Sequence, residues 1–246
     1  MHAVPTFVAL CFAATAPRVS AKATAAEKAC ASGSAQGCSD LADLLDEGDG
    51  LPRDSRREDE LYRRACDGGI ALACEEFAFN VAEGKGAPKD RALAAAYYQK
   101  ACEGGDGVGC WYLGLAYADG AGVRKSAANA ASSYQRGCEL GSGSACHNFS
   151  QCLARGIGVP RDAARAKALM DRAYAILATR VADEAMQEVA RKFHQKPTTT
   201  PNASSFLIKA DGCVYVVNVE ESFDDRGEVE LGDAIKDDRP STCDGE

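Results

Sequence analysis

Residues 102–138 read CEGGDGVGCWYLGLAYADGAGVRKSAANAASSYQRGC, and this stretch is one unit of a pattern that runs through most of the chain. It opens with two cysteines eight positions apart. The same pair recurs every 36 residues, at Cys30 and Cys38, Cys66 and Cys74, Cys102 and Cys110, and Cys138 and Cys146. A fixed period of this length predicts a stacked repeat protein in which each repeat is one supersecondary unit. The pattern also predicts four disulfide bonds, each closed within one Cys-x7-Cys pair.

Each unit predicts two helices joined by a glycine-rich turn. The first helix carries apolar residues at i and i+4 with a small residue after the first of them, which is typical of a buried face that another helix approaches closely. These columns are Leu41, Phe77, Leu113 and Phe149, then Ala42, Ala78, Gly114 and Ser150, then Leu45, Val81, Tyr117 and Leu153. A glycine column is placed to end the first helix, and a column of Asp or Ser is placed to cap the second. Those columns are Gly48, Gly84, Gly120 and Gly156, and Asp54, Asp90, Ser126 and Asp162.

The stretch from Leu113-Gly114 to Val123 follows the pattern L-G-x-x-Y-x-x-G-x-G-V. This pattern resembles the Sel-1-like repeat, a relative of the tetratricopeptide repeat, and the added Cys-x7-Cys resembles the cysteine-rich Hcp-type subfamily. The match covers roughly residues 26–175. The resemblance implies an all-α, right-handed superhelical solenoid of four disulfide-stapled repeats, and a role as an adaptor or scaffold in multiprotein assemblies.

Composition limits the class of protein and its compartment. The chain has 246 residues, a net charge of −8 and 12 cysteines. We expect no nucleic-acid partner, because no basic stripe is present to neutralise phosphates. The cysteine spacing is not that of a zinc knuckle and no paired histidines accompany it, so we expect disulfides in an extracytoplasmic, oxidising compartment, with no metal and no cofactor.

Four segments are expected along the chain. Residues 1–22 form a leader that resembles a signal peptide, although no Lys or Arg precedes its apolar run, which leaves a plain apolar leader as the alternative. Residues 23–195 form the solenoid, with the last second helix and a capping helix in 163–195. Residues 196–205 form a linker. Residues 206–246 form a small β-hairpin with a turn at Asp211-Gly212, followed by an acidic tail in which Cys213 and Cys243 can pair. No segment is expected to span a membrane.

The search for catalytic motifs favours a binding protein over an enzyme. No nucleophile–base motif is present. Cys146, next to His147, belongs to one of the repeated Cys-x7-Cys pairs and is expected to be oxidised, so it is not expected to act as a catalytic thiol. Cys152 is left over as an odd thiol, either inert or a redox handle. By analogy with the fold, the first helices line a concave groove. The expected partner-binding residues are therefore Glu75, Glu76, Trp111, Tyr112, His147 and Asn148, with Glu83 and Asp119 as an acidic rim.

These residues lead to one function with alternatives. The expected function is that of an exported, disulfide-stabilised scaffold, a monomer that holds a protein or peptide in its groove. The Hcp-type resemblance implies an alternative, a penicillin-binding protein or weak β-lactamase. A weaker resemblance is to the cysteine-rich Sel-1-like protein of the mitochondrial intermembrane space. For Trp111, packing between repeats is the alternative to partner binding.

Overall fold

A computed structural model describes residues 20–193 and the strand segments 198–202, 205–210, 213–218, 221–223, 229–231 and 242–243, with side chains described for 20–176 and 179–180. Within these residues the chain forms helices followed by short strands. The helices are α1 Ala21–Ala31, α2 Ala35–Glu47, α3 Ser55–Asp67, α4 Ala71–Glu83, α5 Arg91–Glu103, α6 Gly107–Asp119, α7 Ala127–Glu139, α8 Gly143–Arg155 and α9 Ala163–Phe193. No helix in this part of the chain is long and apolar enough to cross a membrane.

The repeat predicted from the sequence is confirmed as an all-α array of four helical pairs. The first helices are α2, α4, α6 and α8, and the second helices are α3, α5, α7 and the start of α9. The glycine columns end the first helices as expected, since Gly48, Gly84, Gly120 and Gly156 have φ between 71° and 78°. The side chains of Asp54, Asp90 and Ser126 accept backbone N–H groups in the first turns of the second helices.

The predicted disulfide ladder is confirmed in full. The bridges are Cys30–Cys38, Cys66–Cys74, Cys102–Cys110 and Cys138–Cys146, with Cα atoms 4.4 to 4.6 Å apart. Each bridge joins the last turn of one second helix, or of α1, to the first turn of the first helix that follows. The bridges therefore connect successive repeats, and each closes a short loop with the same sequence separation of 8 residues.

The apolar columns form the core between stacked helices. Leu41, Phe77, Leu113 and Phe149 are all buried, with 1 to 7% of each exposed. The small-residue column lets the second helix approach, because a Cβ at Gly114 would collide with the ring of Tyr134. Tyr134 and its counterparts Tyr62 and Tyr98 are also buried. The second helices α3, α5 and α7 thus each contribute a buried tyrosine to the core, and Met170 holds the equivalent position on α9.

Basic residues near the ends of the second helices link successive repeats. Arg64 donates to the carbonyl of Cys30 at the end of α1 over 3.2 Å, and Arg136 donates to the carbonyl of Glu103 at the end of α5 over 3.3 Å. Lys100 reaches the carboxylate of Asp67 at the end of α3 over 3.5 Å. The carbonyl end of a helix is its negative pole. Each cation therefore stabilises the end of the second helix of the preceding repeat, or of α1 in the case of Arg64, rather than the end of its own helix.

Two boundaries differ from the sequence expectation. The helix α9 is continuous from Ala163 to Phe193, so the expected division into a last second helix and a separate capping helix is wrong. The physical reason is that 163–193 contains no Gly or Pro to interrupt the helical hydrogen bonds. At the other end, α1 begins at Ala21, and Ser20 caps it by accepting the N–H of Ala23, so the array starts inside the expected leader 1–22. The rest of that leader lies outside the described residues.

The last part of the chain contains short strands. They are β1 Thr198–Asn202, β2 Ser205–Ala210, β3 Cys213–Asn218, β4 Glu221–Phe223, β5 Val229–Leu231 and β6 Thr242–Cys243. The order β1-β2-β3-β6 makes β1 an edge strand, where Pro201 is tolerated, so the expected linker 196–205 contains a paired strand. The strands β2 and β3 pair antiparallel where the hairpin is predicted, while its turn at 211–212 lies outside the described residues. The β3–β6 register sets the Cα atoms of Cys213 and Cys243 opposite each other, and their bridge stays a prediction.

Candidate functional site

Three positions on each first helix point away from the core and form a surface that we call the first-helix face. They are separated by three and four residues, so they form one stripe on each helix. The stripes are Asp40, Asp43 and Glu47 on α2, Glu76, Phe79 and Glu83 on α4, Tyr112, Leu115 and Asp119 on α6, and Asn148, Gln151 and Arg155 on α8. All twelve side chains are exposed or half-buried. Since the first helices stack as neighbours, the four stripes form a continuous surface.

The first-helix face contains an open pocket of about 320 Å³ between α4 and α6. Its walls include Phe79 from α4 and Leu115 from α6, and its floor is formed by Ala94 and Ala95 of α5. The short side chains of these two floor residues leave space between the two first helices. A concave pocket that combines apolar walls with polar groups at its edge is a common form of binding site, and here Glu83, Lys89, Arg91 and Asp119 contribute the polar groups.

An aromatic cluster forms one side of this pocket. The ring of Tyr112 stacks on the buried ring of Tyr98 with centroids 4.8 Å apart, and it lies 6.0 Å from the ring of Phe79. Phe79 itself is 38% exposed. Tyr112 is therefore held by neighbours on the inner side, while Phe79 presents its ring to solvent. Aromatic side chains of this kind are frequent anchors in protein interfaces.

The neighbouring junction, between α2 and α4, has the opposite chemistry. Its floor positions in α3 carry Glu58 and Asp59 in place of Ala94 and Ala95, and both are buried. Glu58 accepts from Asn80 over 2.8 Å and from Lys85 over 3.0 Å, and Lys85 also contacts Asp46 over 2.6 Å. Burial raises the pKa of Asp59 to about 6, and the negative charge of Glu58 adds to the effect.

Carboxylates also crowd the surface above this junction. Burial raises the pKa of Asp43, and its acidic neighbours Asp40, Glu47 and Asp46 raise it further against the opposing hydrogen bond from Tyr62. Burial likewise raises the pKa of Glu76, with Asp43 and Asp46 adding to the effect and Lys85 opposing it. The α2 end of the first-helix face therefore has more negative charge than its cations neutralise.

The structure divides the six expected partner-binding residues into two sets. Glu76, Tyr112 and Asn148 are half-buried members of the first-helix face. Glu75, Trp111 and His147 are buried, with 7%, 4% and 7% exposed, so the expectation that this second column reaches solvent is wrong. Successive residues on a helix point about 100° apart, and this column faces inward. Trp111 packs with the core cluster that contains Ala130, Ala131 and Tyr134, as the alternative for this residue predicted.

The residues considered for chemistry occupy structural roles. Cys146 is bonded to Cys138, so it offers no thiol to the adjacent imidazole of His147, which contacts Gln151 over 2.8 Å through Nε2. The Ser150 hydroxyl donates to the backbone carbonyl of His147 rather than to an imidazole nitrogen. Cys152 is a buried free thiol, and burial raises its pKa, which keeps it in the unreactive thiol form. Among the described residues, no group of His, Cys, Asp or Glu is arranged to hold a metal ion.

Phe79, which forms part of the pocket wall, was not predicted from the sequence. Phe79 lies in a column with Asp43, Leu115 and Gln151, and this column has no consistent polarity from which its orientation could be inferred. The available signal was its spacing of three residues from Glu76, a position that was already expected to face outward. Glu83 and Asp119, which were expected as an acidic rim, do line the pocket together with Lys89 and Arg91.

Comparison with known families agrees with the architecture. The family model described as the Sel1 repeat matches residues 35–70, 76–106, 107–142 and 143–175. The chain belongs to the Sel1 repeat family. The matched segments contain α2, α6 and α8 in full and α4 from residue 76 onward, so each stripe of the first-helix face lies within a matched segment. No match was found among curated proteins.

Solved structures of other Sel1 repeat proteins are similar. A Sel1 repeat protein from Oxalobacter formigenes is 27% identical with a TM-score of 0.58, and the match covers 64% of each chain. A second is c5321, a protective antigen present in uropathogenic Escherichia coli strains, which displays an SLR fold, with 24% identity, a TM-score of 0.60 and coverage of 69% of this chain and 36% of that one. The cysteine-rich protein B of Helicobacter pylori is 29% identical over 50% of this chain and 88% of its own, with a TM-score of 0.41. The chain thus spans less than two thirds of the length of the first two.

Proposed function

We propose that this Sel1 repeat protein is an exported scaffold that binds a partner protein on its first-helix face. The observation that carries the proposal is the open pocket between α4 and α6, with the exposed ring of Phe79 at its edge. A large apolar side chain left exposed beside a pocket is a common feature of protein interfaces. The four disulfides support the compartment, because such bonds persist in oxidising surroundings.

The array is suited to binding rather than to catalysis. Disulfides between successive repeats hold neighbouring first helices in a fixed relation, so the pocket is formed before a partner arrives. A preformed surface loses less conformational entropy on association than a surface that must first be ordered. The groups examined for chemistry, Cys146, His147 and Ser150, are used in bonds that stabilise the array.

The test is capture of partners by the oxidised full chain from an envelope extract, compared with the Phe79→Ala variant. We expect the variant to lose the specific partner by about tenfold, equivalent to about 1.4 kcal/mol, because it removes the exposed anchor. The melting temperature should hardly change, since the ring is 38% exposed. Leu93→Ala is the matched control, because Leu93 on α5 is 40% exposed and does not line the pocket.

Equal loss of the partner in both variants would show that capture is not specific to the first-helix face. Incubation with a chromogenic β-lactam tests the enzymatic alternative on the same preparation. Saturable turnover that survives repurification would contradict a purely scaffolding role. Unchanged capture by Phe79→Ala would place the binding surface elsewhere on the array.

A further inference from the structure

The first-helix face changes its chemistry along the array. Its three positions are all acidic on α2, mixed aromatic, aliphatic and acidic on α4 and α6, and amide or basic on α8. The corresponding residues are Asp40, Asp43 and Glu47, then Glu76, Phe79, Glu83, Tyr112, Leu115 and Asp119, then Asn148, Gln151 and Arg155. A surface that only kept the protein in solution would not need this order, so the gradient suggests a partner with a matching order of groups.

We propose that the first-helix face recognises a peptide segment in which a Lys or Arg lies about three residues from a large apolar side chain. The apolar side chain enters the pocket between α4 and α6, and the cation lies over the carboxylates at the junction of α2 and α4. This inference rests on the proposed scaffold function and specifies the chemistry and orientation of its partner.

The apolar anchor follows from the shape and lining of the pocket. Ala94, Ala95 and Leu115 contribute apolar surface, and Phe79 and Tyr112 contribute aromatic rings. The volume of about 320 Å³ lies at the lower end of the range for ligand pockets, which suits one side chain rather than a large ligand. Burying an aromatic or large aliphatic side chain here removes apolar surface of both partners from water.

The charges around the pocket are nearly balanced, so they do not select a cation by themselves. Lys89 lies 3.8 Å from the carboxylate of Glu83, and the remaining rim residues are Asp119 and Arg91, which have opposite charges. Selection by charge must therefore come from the neighbouring junction. The apolar and charged subsites are then separate, one on each side of α4.

The cation subsite follows from the excess of carboxylates beside α2. Asp43 and Asp46 of α2 lie close to Glu76 of α4, and Lys85 is bound to Asp46 and Glu58. Asp40, Asp43 and Glu47 also line the adjoining pocket between α1 and α2, where Lys22 lies. A Lys or Arg from a partner would reduce the repulsion among these carboxylates.

The spacing follows from the repeat. The two subsites lie in adjacent junctions, and helices that pack as neighbours are about 10 Å apart. An extended peptide advances about 3.3 Å per residue, so about three residues separate the cation from the apolar side chain. A helical segment would place these groups closer, at about 1.5 Å per residue, and would need a longer interval.

The experiment selects binding sequences without assuming a partner. A random peptide library displayed on phage is panned against the oxidised full chain, with panning against the Phe79→Ala variant to remove peptides that bind elsewhere. We expect the enriched peptides to share a Lys or Arg about three positions from Phe, Tyr, Trp, Leu or Met. Enriched peptides that depend on Phe79 but contain no basic residue, or contain acidic ones, would overturn the inference while leaving the scaffold function intact.

Binding of one enriched peptide is then measured by fluorescence anisotropy. The double variant Asp43→Asn/Glu47→Gln should bind about tenfold more weakly at low ionic strength, and the difference should shrink at high ionic strength because salt screens exposed charges. Glu103→Gln/Glu139→Gln is the matched control, since it removes the same net charge from α5 and α7, outside the first-helix face. Equal weakening in both double variants would reduce the effect to overall charge and overturn the cation subsite.

A library that yields no peptide dependent on Phe79 would overturn the peptide specificity. Capture of a folded protein partner from the extract tests the scaffold function separately, so the two failures are distinguishable. Circular dichroism of every variant confirms that the helical array is retained. Glu47 is exposed, and the Asn that replaces Asp43 keeps an amide oxygen that can accept the hydrogen bond from the buried Tyr62.

Discussion

At the scale of single residues, the most unusual group is the buried carboxyl of Glu75. Burial, together with the nearby negative charges of Glu76 and Asp106, raises its pKa to about 8. An unfolded glutamate titrates near 4.5, so folding is accompanied by proton uptake between these two pH values. Linkage then requires the contribution of this group to stability to fall as pH rises from about 4.5 to about 8.

We therefore predict that Glu75→Gln changes how stability depends on pH. The wild-type protein should lose about 1–3 kcal/mol through this group between pH 5 and pH 8, and the neutral amide should abolish that loss. Urea unfolding at both pH values measures the effect, with the exposed Glu103→Gln as the control. Asp59, whose pKa is raised to about 6, adds a change of the same sign between about pH 4 and pH 6. A Glu75→Gln protein whose stability falls as steeply with pH as that of the wild type would contradict this assignment.

Residue-scale expectations succeeded where one chemical property determined the structure. The repeated Cys-x7-Cys spacing predicted that Cys102 pairs with Cys110, and the glycine column predicted that the helix ends at Gly120, which has a left-handed φ of 76°. Trp111 was misjudged because its column also contains Glu75 and His147, whose polarity wrongly indicated an exposed surface. Glu75 and His147 are buried although they are polar, because the packing of neighbouring repeats determines which way this column of side chains points.

At the scale of helices, the same weak contact recurs along the array. Its cations are Arg64, Lys100 and Arg136, and each contacts the end of α1 or of the second helix of the preceding repeat. Each contact involves exposed side chains, and an interaction of this kind contributes about 0.3–1 kcal/mol. These contacts could not be predicted from a single repeat, because they depend on the geometry that brings each cation to the second helix of the preceding repeat, or to α1. Their effect should therefore accumulate over the repeats.

We predict that the triple variant Arg64→Gln/Lys100→Gln/Arg136→Gln lowers the free energy of unfolding by about 1–2 kcal/mol. The control is Arg124→Gln/Lys125→Gln/Arg161→Gln, which removes the same three charges from the loops after α6 and α8. Chemical denaturation at low and high salt measures both, and the difference between them should decrease with salt. If the control loses as much stability, the cause is net charge and not the contacts with helix ends.

The length of α9 and the presence of the strand β1 could not be predicted from the sequence alone. The length of α9 depends on the absence of Gly and Pro from 163–193, whereas the expected capping helix was inferred from the helical periodicity that continues after Tyr174, which does not show where one helix ends and the next begins. The strand β1 was mistaken for a linker because Pro201 and the threonines are also typical of loops. Pairing with β2, which is a long-range property, decides between these possibilities.

At the scale of the whole molecule, stability is expected to follow the order of the repeats. The bridges Cys30–Cys38 and Cys102–Cys110 close loops of equal length and both are buried, so each restricts the unfolded chain by the same amount, about 2.5 kcal/mol on the chain-entropy relation. Any difference between removing one and removing the other must arise in the folded array. There the first bridge connects α1 to α2, while the third joins α5 to α6, with helices packed on both sides.

We predict that replacing Cys102 and Cys110 by Ala lowers the melting temperature more than replacing Cys30 and Cys38 by Ala. A loosened α5–α6 junction separates the array into two shorter ones that share a weaker interface, whereas a loosened α1–α2 junction frees only the first described helix. Hydrogen exchange makes the distinction local, since the terminal variant should lose amide protection in α1 and the central variant across α4 to α7. Equal melting temperatures with protection lost everywhere would mean that the array unfolds as one cooperative unit, and that nearest-neighbour interfaces do not determine its stability.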